Sequence, residues 1–402
     1  MQVAGIITEY NPLHSGHVHL MAEAKRLLGP DTAVLCVMSG NFVQRGDFAL
    51  TGKYARAEAA VRSGADLVLE LGLPWAVSSA ERFADGGVRT LLATGVVTHL
   101  LFGSECGEAA PLLRLAAVLT GASFPERLRA ELGKGVSFAA ARERAAASLV
   151  SREDAALLRS PNNTLGVEYC KSLLRRGGAL RVVTMPRRGT PHDGVVLEGE
   201  HPSASAVRAL LRTGERDRAL ALMAPAMTRT YLKEEAAGRA PVLGETCERA
   251  ILARLRTMTE SDFAALDEGR EGLHRRLFAA SRTACTVDEV LRLAGTKRYA
   301  QSRLRRMVLW AYLGLTPGDC PTAPPYLRPL AANETGRRLL ARMRETASVP
   351  VLTKPAAVRR LGPEARALFD LEVRAADLYA LAYPALAAAG GGSAWKEGPV
   401  LC

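Results

Sequence analysis

Long apolar runs are missing from this 402-residue chain. No window of about 18 uncharged apolar residues occurs, so no membrane-spanning helix is expected. The opening residues MQVAGIITEYNP carry neither a basic region nor a small-residue cleavage site. A secretory leader is therefore not expected, and the predicted location is the cytoplasm. Seven cysteines, at 36, 106, 170, 247, 285, 320 and 402, contain no CxxC pair. That excludes a zinc ribbon and a disulfide framework, and leaves reduced, mostly buried thiols as the expectation. Repeats and low-complexity blocks are also absent, which removes solenoid folds from consideration. Acidic residues are the scarcer charge, 41 against 53 Lys and Arg, a net of +12. The excess favours a polyanionic partner, since cations set against phosphates release counterions.

What is present suits a soluble protein with a full core: hydrophobic residues make up 48% of the chain, and mean hydropathy is near zero. The length allows two domains. Over the first hundred residues, apolar strand patterns at 3–8 (VAGIIT), 33–38 (AVLCVM), 66–71 (DLVLEL) and 98–102 (THLLF) alternate with helical periodicity. Near-continuous apolar strands spaced by helices predict an α/β fold with a parallel sheet covered on both faces. Ligands of such sheets sit at the carboxyl ends of the strands. Here those ends read TEYNP, SGNFVQRG and GSE. A mainly helical stretch follows over 109–175, then a short strand at 180–184 and a helix from 203. Beyond about 220 only helices are expected, at 246–258, 260–281, 286–294, 299–313 and 363–388.

His14-Ser15-Gly16-His17 holds the most concentrated chemistry. It stands after the first strand and directly before an amphipathic helix, and three of the seven histidines fall at 14, 17 and 19. Two imidazoles three residues apart at a helix N-terminus can both donate to phosphate oxygens, where the helix dipole adds attraction for an anion. Gly16 allows close backbone approach. Fixed donors aimed at an α-phosphate lower the barrier to in-line attack, so the spacing suits nucleotidyl transfer. Two other uses of the motif stay open: a metal pair joined by His19, and an ordinary polar helix cap. No Cys or carboxylate lies in the same turn to complete a zinc site, and no protein metal site is expected.

The surrounding strings are TEYNPLHSGHVHL, VMSGNFVQRGDFAL, ADLVLELGLPWAVSSAERFADGGV and LLFGSE, with SPNNTLGVEY, PSASAVR, EGLHRRL and TKRYAQSRLRR later. The HxGH element resembles the HIGH-type nucleotidyltransferases. The combination resembles the bacterial tRNA(Met) cytidine acetate ligase family over roughly residues 1–310. The resemblance implies a Rossmann-like nucleotidyltransferase domain over 1–215 and a helical tRNA-binding domain over 216–390; the tail at 391–402, within GGGSAWKEGPVLC, is expected to be flexible from its composition. The resemblance implies ATP as cosubstrate and acetate activated as acetyl-adenylate, and nucleotide chemistry alone adds magnesium. The acetyl group then passes to N4 of the wobble cytidine in the anticodon loop of elongator tRNA(Met). No protein partner is implied.

By the same resemblance His14 and His17 are catalytic. Ile7, Thr8, Glu9, Tyr10, Asn11, Pro12, His14, Gly16, His17 and Leu20 wrap the ATP. Gly103, Asn162, Asn163, Arg187 and Arg188 complete its site. The chain departs from the family pattern twice: one residue fewer separates Arg187 from His192, and Pro202-Ser203-Ala204-Ser205 replaces an ISTS-like stretch. Some of these residues have a local reading too. Asn162-Asn163 after Ser160-Pro161 reads as a turn and helix cap. Ser205 can cap a helix in which Arg208, one turn in, reaches a phosphate. Gln44-Arg45-Gly46 is a solvated loop or a contact to the acid or the tRNA.

Residues 271–310 hold nine Lys or Arg and three acidic residues. Lys297, Arg298, Arg303, Arg305 and Arg306 gather around Tyr299. Positive charge beside an aromatic suits single-stranded RNA, whose bases stack on such planes. Lys297, Arg298, Tyr299, Arg303 and Arg306, with Arg45, are the candidate tRNA contacts. A small-metabolite adenylyltransferase and a non-catalytic nucleotide-sensing RNA binder are the competing functions. The basic helical half has no role in the first, and the intact HSGH has none in the second.

Overall fold

The computed structural model describes residues 1–187, 203–269, 271–296 and 299–402. Arg188, Lys297 and Arg298 lie outside them. A seven-stranded sheet organises the molecule: β1 (Val3–Thr8), β2 (Ala33–Ser39), β3 (Leu67–Leu71), β4 (His99–Ser104), β5 (Arg181–Pro186), β6 (Pro329–Ala332) and β7 (Val400–Leu401), in the spatial order β5-β4-β1-β2-β3-β6-β7. The first five run parallel, as the apolar strand pattern predicts. β6 joins antiparallel to β3, and β7 parallel to β6.

Side chains alternate across a strand, so each strand feeds two cores. Val3, Ile7, Leu35, Val37, Leu67 and Leu69 face one core, shared with helices Ala80–Ala93, Ala109–Thr120 and Pro161–Leu174. Ala4, Ile6, Val34, Cys36, Met38 and Val68 face the other, under helices Ser15–Leu28 and Lys53–Val61.

The structure corrects the sequence reading in four places. The chain beyond 220 is not all helix, because β6 returns to the sheet. The expected flexible tail ends in a strand paired to β6. The helix expected over 260–281 is two, Glu260–Ala265 and Leu273–Thr283. Between them Glu268 (φ 65°) and Glu271 (φ 63°) adopt the left-handed conformation, which side-chain-bearing residues do not sustain in a helix. Helix Glu334–Thr346 was not anticipated.

Packing also crosses the expected boundary near 216. A third core joins Phe42, Phe48, Leu73 and Val77 to the C-terminal helices through Trp310, Phe369 and Tyr379. Trp310 Nε1 donates to the Val77 carbonyl (2.8 Å) and Tyr379 Oη to the Ala49 carbonyl (2.7 Å). A buried polar network adds to this. Lys53 Nζ bonds both Glu70 oxygens at 2.7 Å, and Arg328 reaches Glu372 (3.2 Å) and Glu70 (3.7 Å). Tyr326 Oη donates to Glu372 at 2.9 Å. Removing one member would leave a buried charge unpaired, a loss of about 3–5 kcal/mol. The helical half is thereby fixed to the carboxyl edge of the sheet, where the site lies.

Candidate active site

The loop leaving β1 is held in an uncommon shape. Tyr10 takes φ 47°, a left-handed conformation that persists in a non-glycine residue only when its surroundings impose it. Its ring is buried, with Oη 3.2 Å from Cys36 Sγ. Asn11 Oδ1 accepts the Leu50 N–H (2.7 Å), and the Asn11 carbonyl accepts from Arg208 Nη1 (2.6 Å). The Asn11–Pro12 peptide is cis.

The chain then enters the first helix through His14, the N-cap, whose Nδ1 accepts the Gly16 N–H at 3.2 Å. His17 Nδ1 reciprocates by accepting the His14 N–H at 3.3 Å. This is a capping box built from two histidines instead of the usual Ser/Thr and Glu. A nitrogen that accepts cannot carry the proton, so each neutral ring holds its proton on Nε2 as a donor. The two rings lie 3.8 Å apart and tilted by 35°. The Tyr10 ring meets His17 edge-on at 5.1 Å. Cap and phosphate donor are thus compatible roles: the cap fixes the tautomer that donation requires.

Arg56 ties the neighbouring loops together. Fully buried, it donates to the carbonyls of Thr51 (3.0 Å), Glu9 (2.6 Å), Ser39 (3.2 Å) and Gly40. Burial lowers its pKa to about 10. The ends of β1 and β2 are therefore pinned to one cation. Sequence reading missed Arg56. Its signal was a cation at i+3 from Lys53, in register with the buried alanine face of helix Lys53–Val61. The Glu9 carboxylate accepts the Gln44 N–H (2.6 Å) and so anchors a short hairpin, Phe42–Val43 with Asp47–Phe48. Burial pushes the Glu9 pKa up, against opposition from Gln44 N–H and from Arg208, Arg56 and Arg45.

A second cluster forms where β4 and β5 end. Glu105 accepts the N–H groups of Asn162 (3.1 Å) and Asn163 (2.7 Å), capping helix Pro161–Leu174, and also binds Asn162 Nδ2 (2.8 Å). Asn163 Oδ1 accepts the Cys106 N–H (3.1 Å), and Arg187 Nη1 donates to Asn162 Oδ1 (2.8 Å). A Cβ on Gly103 would come within 3.0 Å of Arg187 Cγ. The structure thus assembles Gly103, Asn162, Asn163 and Arg187 as one unit. Glu105 is its hub, and its signal was an acid directly after a strand.

The remaining candidates divide by exposure. Ile7 and Thr8 are buried at the end of β1 and Pro12 in the loop after it, and Gly16 and Leu20 are half-buried on the first helix. Ser205 Oγ accepts from Arg208 Nη2 at 3.4 Å. Arg208 Nε and Asn11 Nδ2 are buried donors that lack an acceptor among the described residues, an expensive state. Arg45 is exposed at the hairpin tip.

The basic cluster is arranged differently from its sequence appearance. Arg306 is buried on Glu268 (2.8 Å), and Arg303 bonds the Glu268 carbonyl (2.8 Å) and Glu271 (3.4 Å) while stacking over Tyr299. Tyr299 Oη donates to the Glu271 carbonyl at 3.0 Å. These three residues hold Glu268 and Glu271. Arg305, one position before Arg306, is the exposed cation of this helix. Among the described residues, no helix is long and apolar enough to cross a membrane.

Residues 1–392 match the family described as HIGH Nucleotidyl Transferase. The tRNA(Met) cytidine acetate ligase of Acetivibrio thermocellus is 36% identical, covering 97% of this chain and 98% of the relative. A crystal structure of apo Thermotoga maritima TmcAL superposes with a TM-score of 0.95 at 32% identity, covering 100% of this chain and 99% of that one. The same protein bound with alpha-thio ATP gives 0.93, with the same identity and coverage. The family match over residues 1–392 and the full-length similarity settle the family: this chain belongs to the tRNA(Met) cytidine acetate ligase family of HIGH nucleotidyl transferases.

Proposed function

We propose that this protein activates acetate with ATP and transfers the acetyl group to N4 of the wobble cytidine of elongator tRNA(Met). The observation that carries this reading is the histidine capping box, which sets two imidazoles side by side at a helix N-terminus. An acetate oxygen attacks the α-phosphorus of ATP, the bond to the β-phosphate breaks, and pyrophosphate departs. His14, His17 and the helix N-terminus stabilise the charge that builds on the α-phosphate oxygens. Arg208 and Asn11 face the same anion with their unmatched donors. The unit of Gly103, Asn162 and Arg187 receives the nucleoside end. In the second step N4 forms its bond to the acetyl carbon, AMP leaves, and N4 gives up one proton. The surface carrying Arg45 and Arg305 meets the RNA backbone.

Magnesium accompanies nucleotide phosphates in such chemistry. Among the described residues no three His, Cys, Asp or Glu side chains converge on a metal position. No step here is routed through it. The test is turnover with labelled acetate and ATP, with and without bulk tRNA. Acetate-dependent pyrophosphate–ATP exchange without tRNA, and label entering tRNA when it is added, is the expected result. Exchange that ignores acetate, or adenylylation of a small metabolite, would replace this reading.

A further inference from the structure

Two elements that touch the nucleotide loops also reach a second cavity. Helix Ala204–Arg212 places Arg208 on the Asn11 carbonyl. Arg212, one turn on and about 6 Å further along the axis, lines a cavity of about 250 Å3. The hairpin does the same: Gln44 binds Glu9, while Gly46, Asp47 and Phe48 form a wall of the cavity. Gly46 has φ 76°, and a Cβ there would come within 2.5 Å of the Arg305 and Arg306 backbone. The hairpin tip is therefore seated on the helix Gln301–Leu313 without room for a side chain.

The lining indicates what fits. The apolar wall includes Phe48, Leu291, Val308 and Tyr312, with the Phe48 and Tyr312 rings 6.0 Å apart. Around it stand four carboxylates against two cations, Arg212 and Arg305: Asp47 and Glu245 pair with Arg212 (3.5 and 2.9 Å), Glu248 accepts the Val287 N–H (2.8 Å), and Asp288 completes the set. A surplus of negative charge repels acetate and the triphosphate of ATP. A flat, neutral ring bearing an amine donor suits both the aromatic wall and the carboxylates. The volume falls below the ~300–1,000 Å3 typical of pockets for larger ligands, as a single base requires.

We infer that this cavity seats the acceptor cytosine, turned out of the RNA loop, with its N4 amine on the carboxylate side. Carboxylates are the side chains that accept from cytosine N4. Asp47 lies 3.5 Å from Arg212, one turn along the helix from Arg208 on the Asn11 carbonyl, which puts it on the nucleotide side of the cavity. During transfer the N4–carbon bond forms, the carbon–oxygen bond to AMP breaks, and Asp47 takes the proton N4 sheds. Exposed Arg305 at the mouth meets the adjoining phosphate. The inference rests on the proposed tRNA acetylation and adds the position of the acceptor base.

Leu291→Trp would fill the cavity from helix Val287–Ala294, which supplies none of the residues assigned to adenylation. Pyrophosphate exchange should remain near wild type, while acetyl transfer to tRNA falls about 10- to 100-fold, the scale of losing one stacked base. Val308→Phe, filling from the opposite wall, gives a second reading should the tryptophan variant not fold. Wild-type tRNA carrying photoreactive 5-iodocytidine at the wobble position should crosslink to Phe48 or Tyr312. Normal transfer by a folded filled variant, or a crosslink mapping elsewhere, overturns the assignment while leaving the ligase reading intact. Failure of the unaltered enzyme to acetylate tRNA at all would instead overturn the ligase reading, and this inference with it.

Discussion

His17 has two separable jobs, and substitution can part them. His17→Ala removes both the acceptor for the His14 N–H (3.3 Å) and the Nε2–H donor. Losing the cap should lower stability by about 1 kcal/mol. Losing one transition-state donor should slow adenylation by about 10²- to 10³-fold. His17→Glu divides these effects. Glutamate is the usual partner at the third position of a capping box and suits the positive end of the helix dipole. Thermal stability should therefore match or exceed wild type. Its carboxylate would face the phosphates, however. At ~4 Å and an effective dielectric near 20, like charges repel by about 4 kcal/mol. Adenylation should accordingly fall about a further 10³-fold below the alanine variant. Acetate-dependent ATP–pyrophosphate exchange and a thermal melt read the two effects separately. If His17→Glu exchanges within tenfold of wild type, the histidine does not face the phosphates, and the reasoning fails at its centre.

Three other expectations follow from the geometry. Asn162→Ala or Arg187→Ala should raise the KM for ATP at least several-fold with tRNA binding unchanged; overlapping ATP titrations would show that the Glu105-centred unit is only a helix cap. Reversing Lys297, Arg298 and Arg305 to Glu should weaken tRNA binding and reduce its salt slope by about 0.7 to 0.9 per lost phosphate contact, with exchange intact. An unchanged slope would mark this face as merely solvated. Burial and the nearby Glu70 carboxylate raise the Glu372 pKa to about 7. The folded state then holds that proton more tightly than the unfolded chain, so stability should decline as pH rises from about 4.5 toward 7. Denaturant titrations across that window should show a smaller decline in Glu372→Gln, and equal slopes would discount the shift.

The parallel strands were legible because each runs five to seven residues with apolar side chains serving both faces of the sheet. β6 was not, since PLAA offers four residues beside a Pro-rich connector, too few for a period-2 signal. The hairpin strands and β7, two residues each, are shorter still. In the site, HSGH announced anion donors through residue type and place alone. What fixes the tautomers, Nδ1 on a backbone N–H, is set by rotamers no spacing reveals. Arg303 and Arg306 read as an RNA patch because their acidic partners lie more than thirty residues earlier, at Glu268 and Glu271.

β6 closes the edge of β3 only after a long detour of the chain. On a ribosome adding roughly 5–20 residues per second, Pro329 follows Leu71 by about 260 residues, or some tens of seconds. Throughout that interval the first four strands can assemble, but β3 shows the nascent chain's surroundings an unpaired row of N–H and C=O groups, flanked by Leu67, Leu69 and Leu71. Such an edge pairs readily with any other extended chain. Leu67–Leu71 is therefore the stretch of the sheet most open to mispairing until Pro329–Ala332 arrive to cover it.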